Sequence, residues 1–266
     1  SEPVKSMLDF SLFVTFFPHL VAGPIVRPPQ LVPQFETPRS ATMKQMTEGL
    51  LLLTLGLFMK VVLADGQLAP TANDIFGNTG AYLALDAWMG VLAFSGQIFF
   101  DFAGYSTCAI GVALCLGFIL PENFKYPYAA VGFSDFWQRW HITLSAWLRD
   151  YLYIPLGGNR QGQLKTYINL TVTMLLGGLW HGANWTFVVW GGLHGFYLWV
   201  EKFIRDKFSK RNIPTDQDVA VAGITGGNTS LAFIYALFTF FLINVTWVFF
   251  RAPTFAQAWT MLTSMF

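Results

Sequence analysis

Long apolar runs separated by short polar breaks are the feature that most constrains the fold of this chain. Residues 231–250 contain no charged side chain and have the length, about 20 residues, that an α-helix needs to cross a bilayer. Residues 49–64 are nearly as long, and Lys60 is placed to extend its ammonium towards the interface. Charged residues make up only 12% of the chain, against roughly 25% in a soluble domain. We therefore predict an all-α, multi-span transmembrane helical bundle with interfacial and re-entrant helices, and exclude a soluble enzyme.

The polar breaks and the basic residues predict the order of the spans. Residues 81–120 contain two aspartates, so they form either two spans with a tight connection or one span plus a re-entrant piece. Basic residues concentrate in 27–44, 121–165 and 201–219, which places those segments on the cytoplasmic side and the loop 65–80 on the other side. This arrangement requires 81–120 to cross only once. Residues 205–228 form the only hydrophilic linker. The net charge of +1 does not indicate nucleic-acid binding.

The middle of the chain is unusually aromatic for a loop. Tryptophan and leucine recur at helical spacing through 133–153, which predicts one amphipathic interfacial helix that begins at Ser134 as its capping residue. Arg149 and Asp150 are adjacent, so we expect each to pair elsewhere, with Arg149 either anchoring the interface or meeting an anionic ligand. Turn-forming residues fill 154–163.

Histidine is costly inside a membrane, so each one requires an explanation. His181 lies in LLGGLWHGANW, where glycines allow close approach and Asn184 can hydrogen-bond the ring or a substrate. It is either a packed side chain or a general base. His194 is interpreted as a packed interhelical donor, and His141 as a headgroup or loop contact. His19 is interpreted as structural. Their spacing does not predict a metal site, and Cys108 and Cys115 are interpreted as buried thiols on one helix face.

Two stretches resemble a known family. FWQRWHITLSAWLRDYLYIPLGGNR (136–160) and LLGGLWHGANWTFVVWGGLHG (175–195) are similar to the membrane-bound O-acyltransferases, and within them to the bacterial branch that acetylates exported polysaccharides such as alginate. The resemblance implies a helical bundle around a transbilayer tunnel, with His181 as the active-site histidine. Because family members are longer, we expect 1–266 to be a partial membrane domain that lacks N-terminal spans and the C-terminal end.

The resemblance also implies a function. Acetyl groups would pass from acetyl-CoA or another cytoplasmic acyl thioester to an exported polysaccharide, through a periplasmic acetyltransferase partner, in the inner membrane of a bacterium and among its lipids. Alginate is the leading acceptor, with cellulose, peptidoglycan or another envelope glycan as alternatives, and no bound cofactor is expected. A membrane transporter and a non-catalytic subunit of a polysaccharide export complex remain alternative functions. The expected supporting residues are Asn184, Trp180, His194 and Asp150, and the expected donor-binding residues are Arg139, Arg149 and Arg160.

Overall fold

A computed structural model describes residues 6–78, 82–208 and 229–266, and every regular element within those ranges is helical. The α-helices are α1 (Met7–Thr15), α2 (Pro28–Leu31), α3 (Met43–Leu57), α4 (Ala69–Gly77), α5 (Ala84–Cys115), α6 (Phe133–Arg139), α7 (Ile142–Leu148), α8 (Gln163–His181), α9 (Trp185–Phe208), α10 (Thr229–Arg251) and α11 (Phe255–Ser264). The π-helices are Phe58–Leu68 and Arg149–Tyr153, and the 3₁₀ turns are Phe17–His19, Val32–Gln34 and Pro127–Ala129.

Among the described residues, three helices are long and apolar enough to cross a membrane: Met43–Gly77, Ala84–Cys115 and Ser230–Arg251. The all-helical, multi-span prediction is thereby confirmed. Helix α5 runs without a break, so the two-span interpretation of 81–120 is wrong and one candidate span covers most of this stretch. The loop predicted at 65–80 is also wrong up to residue 77, because the first candidate span continues through its aspartates. Most of the predicted linker, residues 209–228, lies outside the described residues.

The chain divides into two compact units. The first comprises residues up to 72 together with 93–124 and 141–144, and the second comprises 73–92, 125–140 and 145–266. In the first unit, α1, the segment around α2 and the end of α5 enclose an apolar cluster centred on Val26, Leu31 and Ala113.

Glycines allow α3 to lie directly against α5 within the first unit. A Cβ atom built on Gly49 would lie 2.6 Å from the main-chain oxygen of Gly111, and one on Gly56 would lie 2.6 Å from that of Gly104. Small residues of this kind let two helix backbones come close enough to gain dispersion energy where no hydrophobic drive exists. The Cys108 and Cys115 thiols donate to the Leu53 and Met46 carbonyls of α3, so they share one helix face as predicted. Their predicted full burial is wrong, because both side chains are only partly buried.

The Lys60 side chain forms ion pairs instead of extending towards the interface. Its ammonium lies 2.5 Å from the Asp101 carboxylate on α5 and 2.9 Å from that of Asp65, one turn further along its own π-helix. The expected snorkelling of Lys60 is therefore replaced by ion pairing, because α5 brings a carboxylate within reach. Pairing lowers the cost of holding these charges within candidate spans.

The second unit is built around the hairpin of α8 and α9, against which α6 and α10 pack. Glycines again mark the closest approach, because a Cβ on Gly178 would overlap the Phe187 carbonyl and one on Gly191 would overlap the Met174 carbonyl. Helix α6 is held at its start by α9, since one carboxylate oxygen of Glu201 accepts the main-chain N–H groups of Phe133, at 2.6 Å, and Ser134, at 3.1 Å.

The single interfacial helix predicted at 133–153 is wrong. Helix α6 ends at Arg139, and His141 adopts a left-handed conformation, φ 43°, before α7 begins. The predicted cap is wrong as well, because Gly132 is the N-cap residue and Ser134 lies inside α6. Tertiary hydrogen bonds account for the break, because the main-chain N–H of Ile142 donates 3.0 Å to the Asn123 carbonyl instead of continuing a helix.

Candidate functional site

His181 is the last residue of α8, and three residues separate it from the start of α9. The reversal of direction at Gly182 lets the two helices form their hairpin, and the built Cβ of that glycine would lie 2.8 Å from the Phe187 ring. The imidazole is therefore held at the turn of a rigid hairpin rather than on a loose loop. Such a location fixes the position of a reactive group precisely.

Aromatic rings surround the imidazole of His181. The ring centroids of Phe250 and Trp190 lie 5.0 Å and 5.4 Å away in edge-on geometry, and that of Phe187 lies 6.3 Å away. His181 is half-buried, and across the described ranges no side-chain or main-chain group hydrogen-bonds its ring nitrogens. These nitrogens can therefore accept a proton from a substrate without first breaking an internal bond.

His194 is fully buried. Its Nε2 lies 3.0 Å from the Thr246 hydroxyl, which itself donates to the Ile243 carbonyl at 2.7 Å. The hydroxyl hydrogen is thus already committed, so His194 is assigned the tautomer that donates from Nε2. Trp190 lies between the two histidines, with its centroid 4.8 Å from that of His194. This is the geometry of a packed interhelical donor.

Asn184 and Trp180 do not contact the His181 ring as expected. The Asn184 amide donates to the Pro253 carbonyl at 3.2 Å, and its oxygen accepts the main-chain N–H of Thr186 at 3.1 Å. Asn184 therefore caps the start of α9, which is the role its short side chain favours at that position. Trp180 is 60% exposed and contacts Trp147 instead, with centroids 5.8 Å apart.

Two of the three arginines that were expected to bind the donor already pair with a carboxylate. Arg139 pairs with Asp135 at 2.7 Å, one helical turn away. Arg149 pairs with the adjacent Asp150, also at 2.7 Å, so the expectation that these neighbours pair elsewhere is wrong. The reason is that the long guanidinium side chain can fold back along the helix surface to reach the next carboxylate. That hydrogen bond raises the pKa of Arg149.

The third arginine, Arg160, lies on an exposed turn. A residue that sequence reasoning missed supports this turn. The buried amide of Asn169 on α8 donates to the carbonyls of Leu156, at 3.1 Å, and Gly158, at 3.0 Å. The sequence signal that could have identified Asn169 is a polar residue within an apolar helix.

Asn123 is a second residue that the sequence did not single out. Its side-chain oxygen lies 3.1 Å from His141 Nδ1 and accepts from the Thr143 hydroxyl at 3.0 Å. Its amide donates to the Ser106 hydroxyl at 3.1 Å. His141 is buried in this network, so its interpretation as a headgroup or loop contact is wrong. Only the fold brings α5 and the strained residue at 141 to the same asparagine.

A sequence model of the membrane-bound O-acyltransferase family matches residues 4–243. The chain belongs to this family. It is 45% identical over 98% of its length to a probable alginate O-acetylase of Azotobacter vinelandii, and 43% identical over 98% to one of Pseudomonas aeruginosa. It is 42% identical over 98% to a peptidoglycan O-acetyltransferase of Helicobacter pylori.

The chain spans about half the length of these relatives, since the matches cover 48%, 46% and 47% of them respectively. The family resemblance inferred from the two aromatic motifs is thereby confirmed. Both motifs fall inside the matched region, and so does His181.

Proposed function

We propose that the protein of which this chain forms part is a membrane O-acyltransferase, in which His181 acts as the general base. The observation that carries the proposal is the placement of His181. Its ring lies at the turn of the α8–α9 hairpin among three aromatic side chains, and no described protein group bonds its nitrogens. Family membership supplies the reaction class.

The chemistry follows from the weakness of a hydroxyl as a nucleophile near neutral pH. The acceptor oxygen attacks the thioester carbonyl while His181 removes the hydroxyl proton. The tetrahedral intermediate then collapses, the carbon–sulfur bond breaks, and the imidazolium returns the proton to the leaving thiolate. An apolar ring environment excludes water, which would otherwise hydrolyse the thioester. Main-chain N–H groups at the hairpin turn are the candidates for stabilising the oxyanion.

The donor is proposed to be acetyl-CoA or another acyl thioester that enters from the cytoplasmic side. Of the three arginines expected to hold it, Arg160 is the strongest candidate, because Arg139 and Arg149 each have a carboxylate partner. Arg160 is also carried by a turn that Asn169 fixes from within. A guanidinium on a fixed turn can bind the phosphates of such a donor.

The acceptor is proposed to be an exported polysaccharide, reached with a periplasmic acetyltransferase partner from the bacterial inner membrane. The curated relatives are named for alginate and for peptidoglycan at similar identities. Alginate remains our leading proposal. The shared chemical requirement is a sugar hydroxyl delivered to the side of the membrane opposite the thioester.

The test uses the full-length protein, reconstituted in vesicles with acetyl-CoA supplied on one side. His181→Gln should lower thioester consumption by roughly 10²–10⁴-fold, the usual contribution of a general base. Glutamine retains hydrogen-bonding capacity but cannot accept the proton. His19→Gln serves as the matched control, because His19 also packs against aromatic rings, at 5.6 Å from Phe13, but lies in the first unit.

Three results would refute the proposal. Thioester turnover by a folded His181→Gln protein at the wild-type rate would remove the histidine from the chemistry. Passage of a solute across the vesicle without thioester cleavage, in wild type and variant alike, would indicate a transporter. Equal loss of activity in the His19 control would assign the effect to packing rather than to proton transfer.

A further inference from the structure

We propose that His194 and Thr246 form a positioning pair for the general base, because their hydrogen bond sets the spacing of the two rings that hold His181. The inference rests on the proposed function, in which His181 removes the proton of the acceptor hydroxyl. His194 lies on α9 and Thr246 on α10, and both helices belong to the second unit together with His181. The pair acts through the rings and not on the substrate.

His181 lacks the hydrogen-bonded partner that commonly orients a histidine base. In a serine–histidine–aspartate triad, a carboxylate bonds one ring nitrogen and so fixes the direction of the other. Among the residues that the structure describes, no group bonds either ring nitrogen of His181. Two rings in edge-on contact take this place, Trp190 at an interplanar angle of 87° and Phe250 at 70°. Ring packing therefore sets the direction of the imidazole.

The two rings that hold the imidazole belong to different helices. Trp190 lies on α9 and Phe250 lies on α10, and their centroids are 5.2 Å apart. The space left for the imidazole consequently depends on the separation of these helices. Because a misplacement of about 1 Å can lower a rate by roughly 10²-fold, the separation has to be fixed close to the rings.

The hydrogen bond between His194 and Thr246 fixes the separation one helical turn away. His194 follows Trp190 by four residues, and Thr246 precedes Phe250 by four, so each member of the pair lies on the same helix face as the ring beside it. The Nε2 of His194 donates to the Thr246 hydroxyl at 3.0 Å. Both side chains are completely buried, and a hydrogen bond is stronger in such surroundings than in water.

His194 also contacts Trp190 directly. The two ring centroids lie 4.8 Å apart, and Trp137 of α6 packs against both rings, at 5.1 Å from His194 and 5.8 Å from Trp190. Trp190 is 1% exposed, and a ring enclosed in a close-packed interior shifts with its neighbours. A displacement of His194 is therefore passed to the ring that contacts His181.

The test measures acetyl-CoA consumption by the full-length protein in vesicles, expressed per folded protein. Thr246→Val keeps the shape of the side chain but removes the acceptor for His194. It should lower kcat by roughly 10–100-fold, while the KM for acetyl-CoA stays unchanged because the base acts on the acceptor hydroxyl. Thr246→Ser restores the hydroxyl and should recover most of the lost rate.

Thr239→Val is the matched control on the same helix. The Thr239 hydroxyl is also buried, accepts the main-chain N–H of Gly132 at 3.0 Å and donates to the Tyr235 carbonyl at 2.8 Å. Its loss removes an equivalent hydrogen bond between elements, but one that does not join α9 to α10. We expect Thr239→Val to lower stability and to leave kcat at the wild-type value.

The same substitution in a His181→Gln background separates positioning from general damage. Because no base remains to be misplaced, Thr246→Val should then change the residual rate by less than about twofold. Equal fold losses in the two backgrounds would overturn the positioning pair, as would a wild-type kcat in folded Thr246→Val or an equal loss in Thr239→Val. Wild-type turnover by His181→Gln would instead overturn the proposed function itself.

A second pair of variants keeps the inference testable if Thr246→Val fails to fold. His194→Gln retains an amide that can donate to Thr246, whereas His194→Phe retains a ring against Trp190 but has no donor. We expect kcat to be at least tenfold higher in His194→Gln than in His194→Phe, by the same positioning argument. Equal rates in the two variants would overturn the proposal.

Discussion

Replacement of Gly49 by alanine tests whether α3 and α5 are held in direct backbone contact. The added methyl carbon would lie 2.6 Å from the Gly111 carbonyl oxygen and 2.6 Å from the Cys115 thiol. A thiol can rotate away, but a helix carbonyl cannot, so the two helices must separate. Overpacking of this kind costs roughly 1–3 kcal/mol.

Alanine also favours a helix over glycine by about 1 kcal/mol. The two effects oppose each other, so the free energy of unfolding should fall by a net amount of about 0–2 kcal/mol relative to wild type, and by about 1–3 kcal/mol relative to a variant that gains only the helix propensity. Gly192→Ala is the matched control. It gains the same helix propensity, and its nearest neighbour is a flexible leucine at 3.6 Å, so it should be neutral or stabilising.

The measurement is helicity by circular dichroism during titration of the detergent-solubilised, full-length protein with sodium dodecyl sulfate. Gly56→Ala should act like Gly49→Ala, since its Cβ would lie 2.6 Å from the Gly104 carbonyl. The double variant should cost less than the sum, because one separation of the helices relieves both overlaps. Stability of Gly49→Ala equal to that of Gly192→Ala would refute close backbone packing.

Three further substitutions test buried polar contacts by the same unfolding measurement. Asn123→Leu should lower the free energy of unfolding by about 2 kcal/mol or more, because it leaves the buried partners of the amide, including His141, without a hydrogen bond. Wild-type stability would contradict the network. Glu201→Gln should cost about 1 kcal/mol, since a neutral amide accepts the two N–H bonds of α6 more weakly, and unchanged stability would show that the carboxylate charge does not strengthen them. Thr246→Val keeps the shape of the side chain but removes the acceptor for His194, so a loss of about 1–3 kcal/mol is expected, and no change would show that this hydrogen bond is weak.

The positions of the helices were largely predictable from the sequence. The uninterrupted apolar run at 231–250 predicted α10, whereas the two aspartates in 81–120 left α5 open between one span and two. Glycine and asparagine, which follow His181 within three residues, are residue types that end helices, and α8 ends at His181. These are local properties, so the sequence carries them without knowledge of the rest of the fold.

The partners of the polar side chains were not predictable in this way. Sequence reasoning assigned Asn184 to the histidine, although it caps α9 and donates to Pro253. It treated 133–153 as one helix, although His141 breaks it to meet Asn123. Each of these errors concerns a bond between residues 18 or more positions apart or a backbone strained to make one.

What the sequence by itself determined is therefore an all-helical membrane protein of the O-acyltransferase family, with His181 at a helix break. Apolar runs and glycine placement suffice for the helices and the break, because both act over one or two helical turns, while the family rests on the resemblance of the two aromatic motifs. The tertiary structure alone decided which rings enclose His181 and which carboxylates pair with Arg139 and Arg149. Those features depend on how separate helices pack, and a side chain selects its partner only after packing has set the distances.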